Sequence, residues 1–247
     1  MSTREELARS RGTAISANGL LRATNAYSGG LAFQQAERRS APAIANANQN
    51  HVELLLKRYL DVTIASIALV VALPVFVLIA VLIRLDSRGP IFFFQTRLGL
   101  NGRLFEIYKF RTMNVMENGD TIPQVCEHDR RITRVGAWLR SLSLDELPQL
   151  LNVIAGDMSL VGPRPHARAH DTYYAARIAE YQMRQSVKPG ITGWAQIHGL
   201  RGETKTVDDM RRRVAFDIWY VRNANLATDL MVLLRTPFEV FRGRNAR

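Results

Sequence analysis

Between Lys57-Arg58 and Arg84 the chain carries 22 consecutive residues without a charge, Val62 to Ile83, of which only Thr63 and Ser66 are polar. As one straight helix this run measures about 33 Å, enough to cross a hydrocarbon core of about 30 Å. A helix in a soluble protein usually shows water a polar face, and this one has none to show. Pro74 sits near its middle. A proline there removes a backbone hydrogen bond and clashes with the preceding turn, which predicts a kink or break at Leu73–Pro74. Lys57 and Arg58 precede the run and Arg84 and Arg88 follow it, so the positive-inside bias names no outside end. A helix–break–helix that enters one leaflet and returns satisfies length, proline and charge together, with Pro74 at the turn and Lys57 and Arg58 anchoring at the headgroups. A kinked single-pass anchor is the alternative.

Three segments follow from this. Residues 1–50, rich in Ala, Asn, Ser and Arg without an apolar period, read as a disordered tail, and no continuous apolar stretch marks them as a secretory signal. Residues 51–90 form the membrane segment and residues 91–247 a mixed α/β catalytic domain. Within that domain residues 91–95 and 104–110 read as two strands joined by a turn at 97–103. Residues 131–155 read as helical in pieces and 168–186 as a longer polar helix. Residues 214–221 and 230–238 combine aromatic, aliphatic and Arg side chains, as interfacial amphipathic helices do, although such stretches also build cores.

The chain has 33 basic against 22 acidic side chains, and 29 of the cations are Arg. That bias suits phosphate, which the guanidinium fork meets with two parallel hydrogen bonds; nucleic acid, lipid headgroup and nucleotide all meet it. The single cysteine, Cys126, excludes an internal disulfide and any multi-Cys metal site. There is no Gly-x-x-x-x-Gly-Lys loop, no Gly-x-Gly-x-x-Gly after a strand, no Asp-x-Asp and no His-Glu-x-x-His. ATPase, dinucleotide and zinc-hydrolase readings therefore lose their footing. His166 and His170 read as surface or phosphate-side residues.

Arg140-Ser-Leu-Ser-Leu-Asp145-Glu146-Leu-Pro148 sets adjacent carboxylates in this basic chain just before a proline that suits a helix's first turn. A structural role accounts for them too: Ser143-x-x-Glu146 matches a capping box, worth about 0.3–1 kcal/mol at a helix start. Gly156-Asp-Met-Ser-Leu-Val-Gly162-Pro163-Arg164-Pro165 follows, with two prolines holding the backbone about one Arg. A carboxylate pair, a divalent cation and several guanidinium groups are the parts that phosphoryl transfer needs.

Leu142 to Asn152, Gly156 to Pro165 and Val187-Lys-Pro-Gly-Ile-Thr-Gly-Trp-Ala-Gln196 closely resemble blocks of the bacterial sugar transferases, the monotopic phosphoglycosyl transferases. Lys57-Arg58 with Asp61, the proline-broken run, and Gln95-x-Arg97-x-Gly99 through Lys109-Phe-Arg111-Thr-Met113 resemble earlier blocks, so the likeness covers residues 55–243. It implies transfer of sugar 1-phosphate from a UDP-sugar to undecaprenyl phosphate with release of UMP, starting exopolysaccharide or other surface-glycan synthesis at the cytoplasmic face of the bacterial inner membrane. It further implies Mg²⁺ held by Asp145 and Glu146, and two steps in which Asp145 first takes the phosphosugar. Arg140 and Arg164 are then candidates for phosphate, Gln196 and Arg201 for the nucleotide side, and Arg97, Lys109 and Arg111 for either substrate or an anionic lipid. The blocks at 193–204 and 241–246 look like the branch that transfers glucose 1-phosphate, with galactose 1-phosphate as the rival. Partners are then the two substrates and membrane lipids, with no nucleic acid and with room for a homo-oligomer. The competing reading is a non-catalytic membrane-tethered anion binder, which gains nothing from Asp145 and Glu146.

Overall fold

The structure, a computed structural model, describes residues 51–114 and 129–242. The tail expected over residues 1–50 lies outside them, as do Cys126 and the end of the glucose-type block at 241–246 beyond Arg242. Helix α1 (His51–Asp86) is followed by the hairpin β1 (Phe92–Leu98) and β2 (Leu104–Phe110). Then come α2 (Arg134–Ser141), a 3-10 turn (Leu144–Glu146), α3 (Gln149–Ala155), β3 (Ser159–Val161) and α4 (Arg168–Ala175). A 3-10 segment (Tyr181–Ser186), β4 (Gly190–Thr192), α5 (Trp194–Ile197), α6 (Val207–Arg222) and α7 (Leu226–Arg242) complete the order. The expected mixed α/β character is present, with two small sheets: β1 against β2 antiparallel, and β3 beside β4 parallel.

Glycine explains how β3 and β4 come so close. A Cβ on Gly162 would stand 2.3 Å from the Lys188 carbonyl oxygen, and one on Gly190 would stand 2.1 Å from the Gly162 nitrogen. Only hydrogen fits there, so the two motifs Gly162-Pro-Arg-Pro165 and Pro189-Gly190 lock backbone to backbone. Asn152 makes the second junction. Its side chain accepts from Tyr108 N at 3.0 Å and donates to Glu106 O at 2.7 Å, fastening α3 to the edge of β2.

Helix α1 runs without interruption through Pro74, so the break expected at Leu73–Pro74 is corrected. A proline withdraws one N–H, and the turns on either side keep their own hydrogen bonds. One stripe of α1 rests on the remainder of the protein. Asp61, Ala65, Ile79 and Ile83 are buried; Ala65 joins Ile107, Leu150 and Val153, while Ile79 and Ile83 join Phe110 and Leu139. The opposite face is bare: Val70, Val71, Val77 and Leu78 are each more than half exposed. The helix is long and apolar enough to cross a membrane, and burying that bare face in lipid is worth about 25 cal/mol per Å².

Lys57 and Arg58 were expected at the headgroups and instead bind inward. Arg58 donates to Val153 O at 2.6 Å and Ile154 O at 2.8 Å, capping the last carbonyls of α3, and Lys57 pairs with Asp229 at 2.5 Å. The far end is held as firmly: Arg111 donates to Ser87 O at 2.7 Å and Arg88 O at 2.9 Å, and Asp86 accepts from Val135 N at 3.0 Å. Arg111, a candidate for either substrate or an anionic lipid, here braces the end of α1 through Ser87 and Arg88.

Two further expectations change. The helix expected over 168–186 divides into α4 and the 3-10 segment. The C-terminal stretches divide by face: Val214, Ile218, Tyr220, Val221 and Val232 are buried, as the core reading expects, and Trp219, Leu230, Leu234 and Phe238 are exposed. Leu230, Leu234 and Phe238, spaced four apart, form one outward apolar stripe on α7.

Both ends of α1 grip the same compact unit, so both should lie on one side of a bilayer. Single cysteines at His51 and Arg88, introduced with Cys126→Ser, should both react with an impermeant thiol reagent from the same side of sealed vesicles. Labelling from opposite sides would show a span.

Candidate active site

The 3-10 turn Leu144–Glu146 carries both carboxylates of the expected pair, and Asp145 and Glu146 are both buried. Ser143 enters this turn in left-handed conformation, φ 61°, and makes no capping hydrogen bond. The capping box is therefore absent. Glu146 turns to cations instead: Lys109 Nζ at 2.9 Å, Arg164 through both Nη atoms at 2.5 and 3.0 Å, and Arg201 Nη2 at 3.1 Å. Arg201 also donates to Ser143 Oγ. These three cations come from β2, from the loop after β3 and from the loop after α5, so one carboxylate gathers three distant segments.

Asp145 stands beside this cluster differently. Among the described residues no hydrogen bond or ion pair engages its carboxylate, though Lys109, Arg140 and Arg164 act on it through space. Burial, and next the charge of Glu146, push its pKa above the ordinary aspartate value. Burial opposes the charge of Glu146 as well, but Arg164, Lys109 and Arg201 outweigh it and hold that carboxyl well below its usual range. Two neighbouring carboxylates thus acquire separate characters: Glu146 is a fixed anion inside a cation ring, and Asp145 is an open carboxylate facing the same cations.

Arg164 is held from behind. Arg184, itself buried, donates to the Arg164 carbonyl at 2.6 Å, to Asp217 Oδ2 at 2.7 Å and, through Nη1, to His166 Nδ1 at 3.0 Å. Tyr181 donates to Asp171 at 2.7 Å beside the His166 ring. Burial, then the charge of Arg184, keep His166 neutral by pulling its pKa far down. Burial lifts Asp171 to about 6. Arg97 reaches the same loop through its backbone bridge to Ala167, and burial followed by Arg164 lowers its pKa to about 10. Arg213, donating to Gly202 O, is lowered to about 10 by burial and Arg164. Among the described residues, Arg97, Lys109, Arg164, Arg184, Arg201 and Arg213 thus outnumber the carboxylates that act on them, Asp145, Glu146, Asp171, Asp217 and, at the edge beside Arg213, Asp209. The site carries an excess of positive charge that an anionic ligand would balance.

The structure brings together Asp145, Glu146, Arg97, Lys109, Arg140, Arg164 and Arg201. Gln196 lines a cavity beside Glu146 and donates to Ile191 O at 2.9 Å, while Lys57, Arg58, Pro74 and Arg111 lie on or brace α1 away from the cluster. Sequence reasoning missed Arg184, Asp217, Tyr181, Asp171 and Arg213; of the two readings of His166, surface or phosphate-side, the first is corrected, because the residue is buried and shares Arg184 with the Arg164 carbonyl.

No cluster of three or more His, Cys, Asp or Glu is placed to hold a metal among the described residues. Mg²⁺ in phosphate chemistry takes one or two carboxylates and completes its shell with phosphate and water. The open Asp145 carboxylate fits that requirement; Glu146, with both oxygens on cations, does not add a free ligand.

The model of the bacterial sugar transferase family matches residues 52–243. The chain belongs to that family. It is 54% identical over 182 residues to the UDP-glucose:undecaprenyl-phosphate glucose-1-phosphate transferase of Caulobacter vibrioides, covering 74% of this chain and 68% of that one. A protein of the same name from Escherichia coli is 48% identical over 190 residues, 77% of this chain and 41% of its own. The exopolysaccharide production protein PSS of Rhizobium leguminosarum bv. phaseoli is 43% identical over 198 residues, 78% of this chain and 99% of its own. The chain thus spans about two thirds of the first relative and about two fifths of the second. The matched region contains all seven residues of the cluster.

Asp171 gives this sugar transferase a testable pH signature. A carboxyl with pKa about 6 in the fold and about 3.9 unfolded favours the fold while protonated, and that contribution disappears as pH rises from about 4 through about 6. Wild type should lose about 2 kcal/mol relative to Asp171→Asn over that interval, read as the change in their stability difference between pH 4 and pH 7. A difference independent of pH would contradict the assignment.

Proposed function

We propose that this protein transfers glucose 1-phosphate from UDP-glucose to undecaprenyl phosphate, releasing UMP, and so starts assembly of an exopolysaccharide or related surface glycan. The observation that carries the reading is the open carboxylate of Asp145 inside a cation-rich pocket organised by Glu146. The sugar and the acceptor rest on the names of the Caulobacter and E. coli relatives. A binding module would gain from the arginines alone and would be weakened by two buried carboxylates among them.

In the first step an Asp145 oxygen attacks the sugar-bearing phosphorus of UDP-glucose. A bond forms from aspartate oxygen to phosphorus, the bridging phosphorus–oxygen bond breaks, and UMP departs with that electron pair. In the second step a phosphate oxygen of undecaprenyl phosphate attacks the same phosphorus and Asp145 leaves as a carboxylate, giving undecaprenyl-diphospho-glucose. Attack of one anion on another needs offset charge. Arg164 and Lys109 supply it next to Asp145, with Arg201, Arg140 and Arg97 around the diphosphate. Glu146 holds the first three in place before substrate arrives, so little reorganisation is needed at the moment of reaction. Mg²⁺, held by Asp145 and the donor phosphates, would neutralise the non-bridging oxygens. The raised pKa of Asp145 puts the acid limb of the first step above the ordinary aspartate value, because only the ionised carboxylate attacks.

The bare face of α1 and the outward stripe of α7 suit a protein resting in one leaflet of the bacterial inner membrane, with the cation cluster toward the cytoplasm where UDP-sugars are found.

With undecaprenyl phosphate and Mg²⁺, purified protein should release UMP from UDP-glucose. Asp145→Asn should lower the rate at least about 10³-fold, and Glu146→Gln, which frees the three cations, about 10²-fold. Turnover with UDP-galactose and not UDP-glucose would move the sugar assignment; release by Asp145→Asn at the wild-type rate would contradict the covalent route.

A further inference from the structure

A cavity of about 130 Å³ lies beside Glu146, between α3, α5 and α7. Leu147, Leu150, Ile191, Ile197 and Val240 give it apolar walls. Its hydroxyl and amide donors are already engaged with one another or with the backbone. The Thr192 and Thr236 hydroxyls meet at 2.8 Å, and Thr236 also donates to Val232 O at 2.7 Å. Gln196 donates through Nε2 to Ile191 O, while its buried Oε1 has no hydrogen-bond partner among the described residues. Elsewhere the lining changes to Glu146, Arg201, Ser143 and Glu239.

That distribution selects among the groups the proposed reaction brings to the site. A nucleobase entering here could give its ring N–H to Gln196 Oε1, but its carbonyls would face aliphatic walls and donors already in use, which is costly. A branched hydrocarbon has nothing to leave unpaired, and its phosphate would lie at the Arg201 end, close to Asp145. The position relative to lipid agrees. Helix α7 turns Thr236 and Val240 to the cavity and Leu230, Leu234 and Phe238 outward, so the cavity lies directly behind a helix with an unpartnered apolar stripe.

We propose that this cavity receives the first isoprene units of the polyprenyl phosphate acceptor, with the acceptor phosphate at Arg201. The inference rests on the two-step phosphosugar transfer proposed above. It separates the acceptor chain from the nucleoside, with Arg201 serving the donor diphosphate in the first step and the acceptor phosphate in the second: the chain comes in between α3 and α7, and the nucleoside approaches from the Arg97 and Arg213 side.

Val240→Trp tests this by filling the cavity without touching a charged residue. Two quantities are measured: UMP released in a single turnover from UDP-glucose with no acceptor, and the KM for undecaprenyl phosphate in detergent micelles at saturating UDP-glucose. The acceptor KM should rise about tenfold or more while the acceptor-free burst keeps its rate and its UDP-glucose dependence. Val240→Met, a milder filling, should give the same acceptor-only change at about threefold and remains informative if the Trp variant does not fold. A weakened UDP-glucose dependence of the burst with an unchanged acceptor KM would assign the cavity to the nucleoside and overturn the proposal, and so would unchanged values of both in folded variants. Absence of any burst in wild type, with turnover intact, would instead overturn the two-step reading on which the proposal rests.

Discussion

A single buried carboxylate shared among three cations organises this protein. Glu146 is nearly inaccessible to water, and a lone charge in such a place is very costly. Lys109, Arg164 and Arg201 relieve that cost, and each arrives on a different segment. The hairpin, the double-proline loop and the loop after α5 are thereby tied to one point. Removing Glu146 would leave like charges crowded together; removing any one cation would leave a less balanced buried anion.

The function proposed here follows from what this arrangement does for the neighbouring residue. Asp145 is kept beside the same cations with no partner of its own among the described residues, so the array that stabilises Glu146 is also available to a diphosphate. The supports behind it are built mostly from backbone. Gly162 and Gly190 allow the Arg164 loop to lie against β4, Asn152 fixes the height of β2, and with it Lys109, against α3, and Arg184 fixes the Arg164 carbonyl from the far side. Helix α1 joins the same scaffold: its Lys57 and the Tyr220 of α6 both donate to Val161 O, at 3.3 and 3.1 Å, one residue before Gly162. The apolar helix, through Lys57, and α6, through Tyr220, are thus each connected by one hydrogen bond to the strand that leads into the Arg164 loop.

Parts of this were legible in the sequence because their causes are local. The 92–110 hairpin follows from strand-forming residues on either side of a Gly-containing turn, and the helical pieces around Asp145 follow from Pro148 and the apolar period of 149–155. Other features depend on partners far along the chain. The local pattern pairs Ser143 with Glu146 as a cap, but three distant cations compete for that carboxylate and prevail. Lys57 and Arg58 read as headgroup anchors because their partners, Asp229 and the end of α3, lie 172 and about 95 residues away. Arg184 and Asp217, separated by 33 residues, carry no pattern that spacing could reveal. The family blocks were legible as blocks, but the reason for their glycines, backbone packed on backbone, appeared only in three dimensions.

The central claim is that Asp145 is the group that takes the phosphosugar. Protein mixed with UDP-glucose and Mg²⁺ in the absence of acceptor, quenched in acid and examined by intact and peptide mass spectrometry, should carry one added hexose phosphate on the peptide containing Asp145. That adduct should be absent from Asp145→Asn and should disappear from wild type when undecaprenyl phosphate is added before the quench. An unmodified Asp145 in protein that turns over, or an adduct on another residue, would contradict the account.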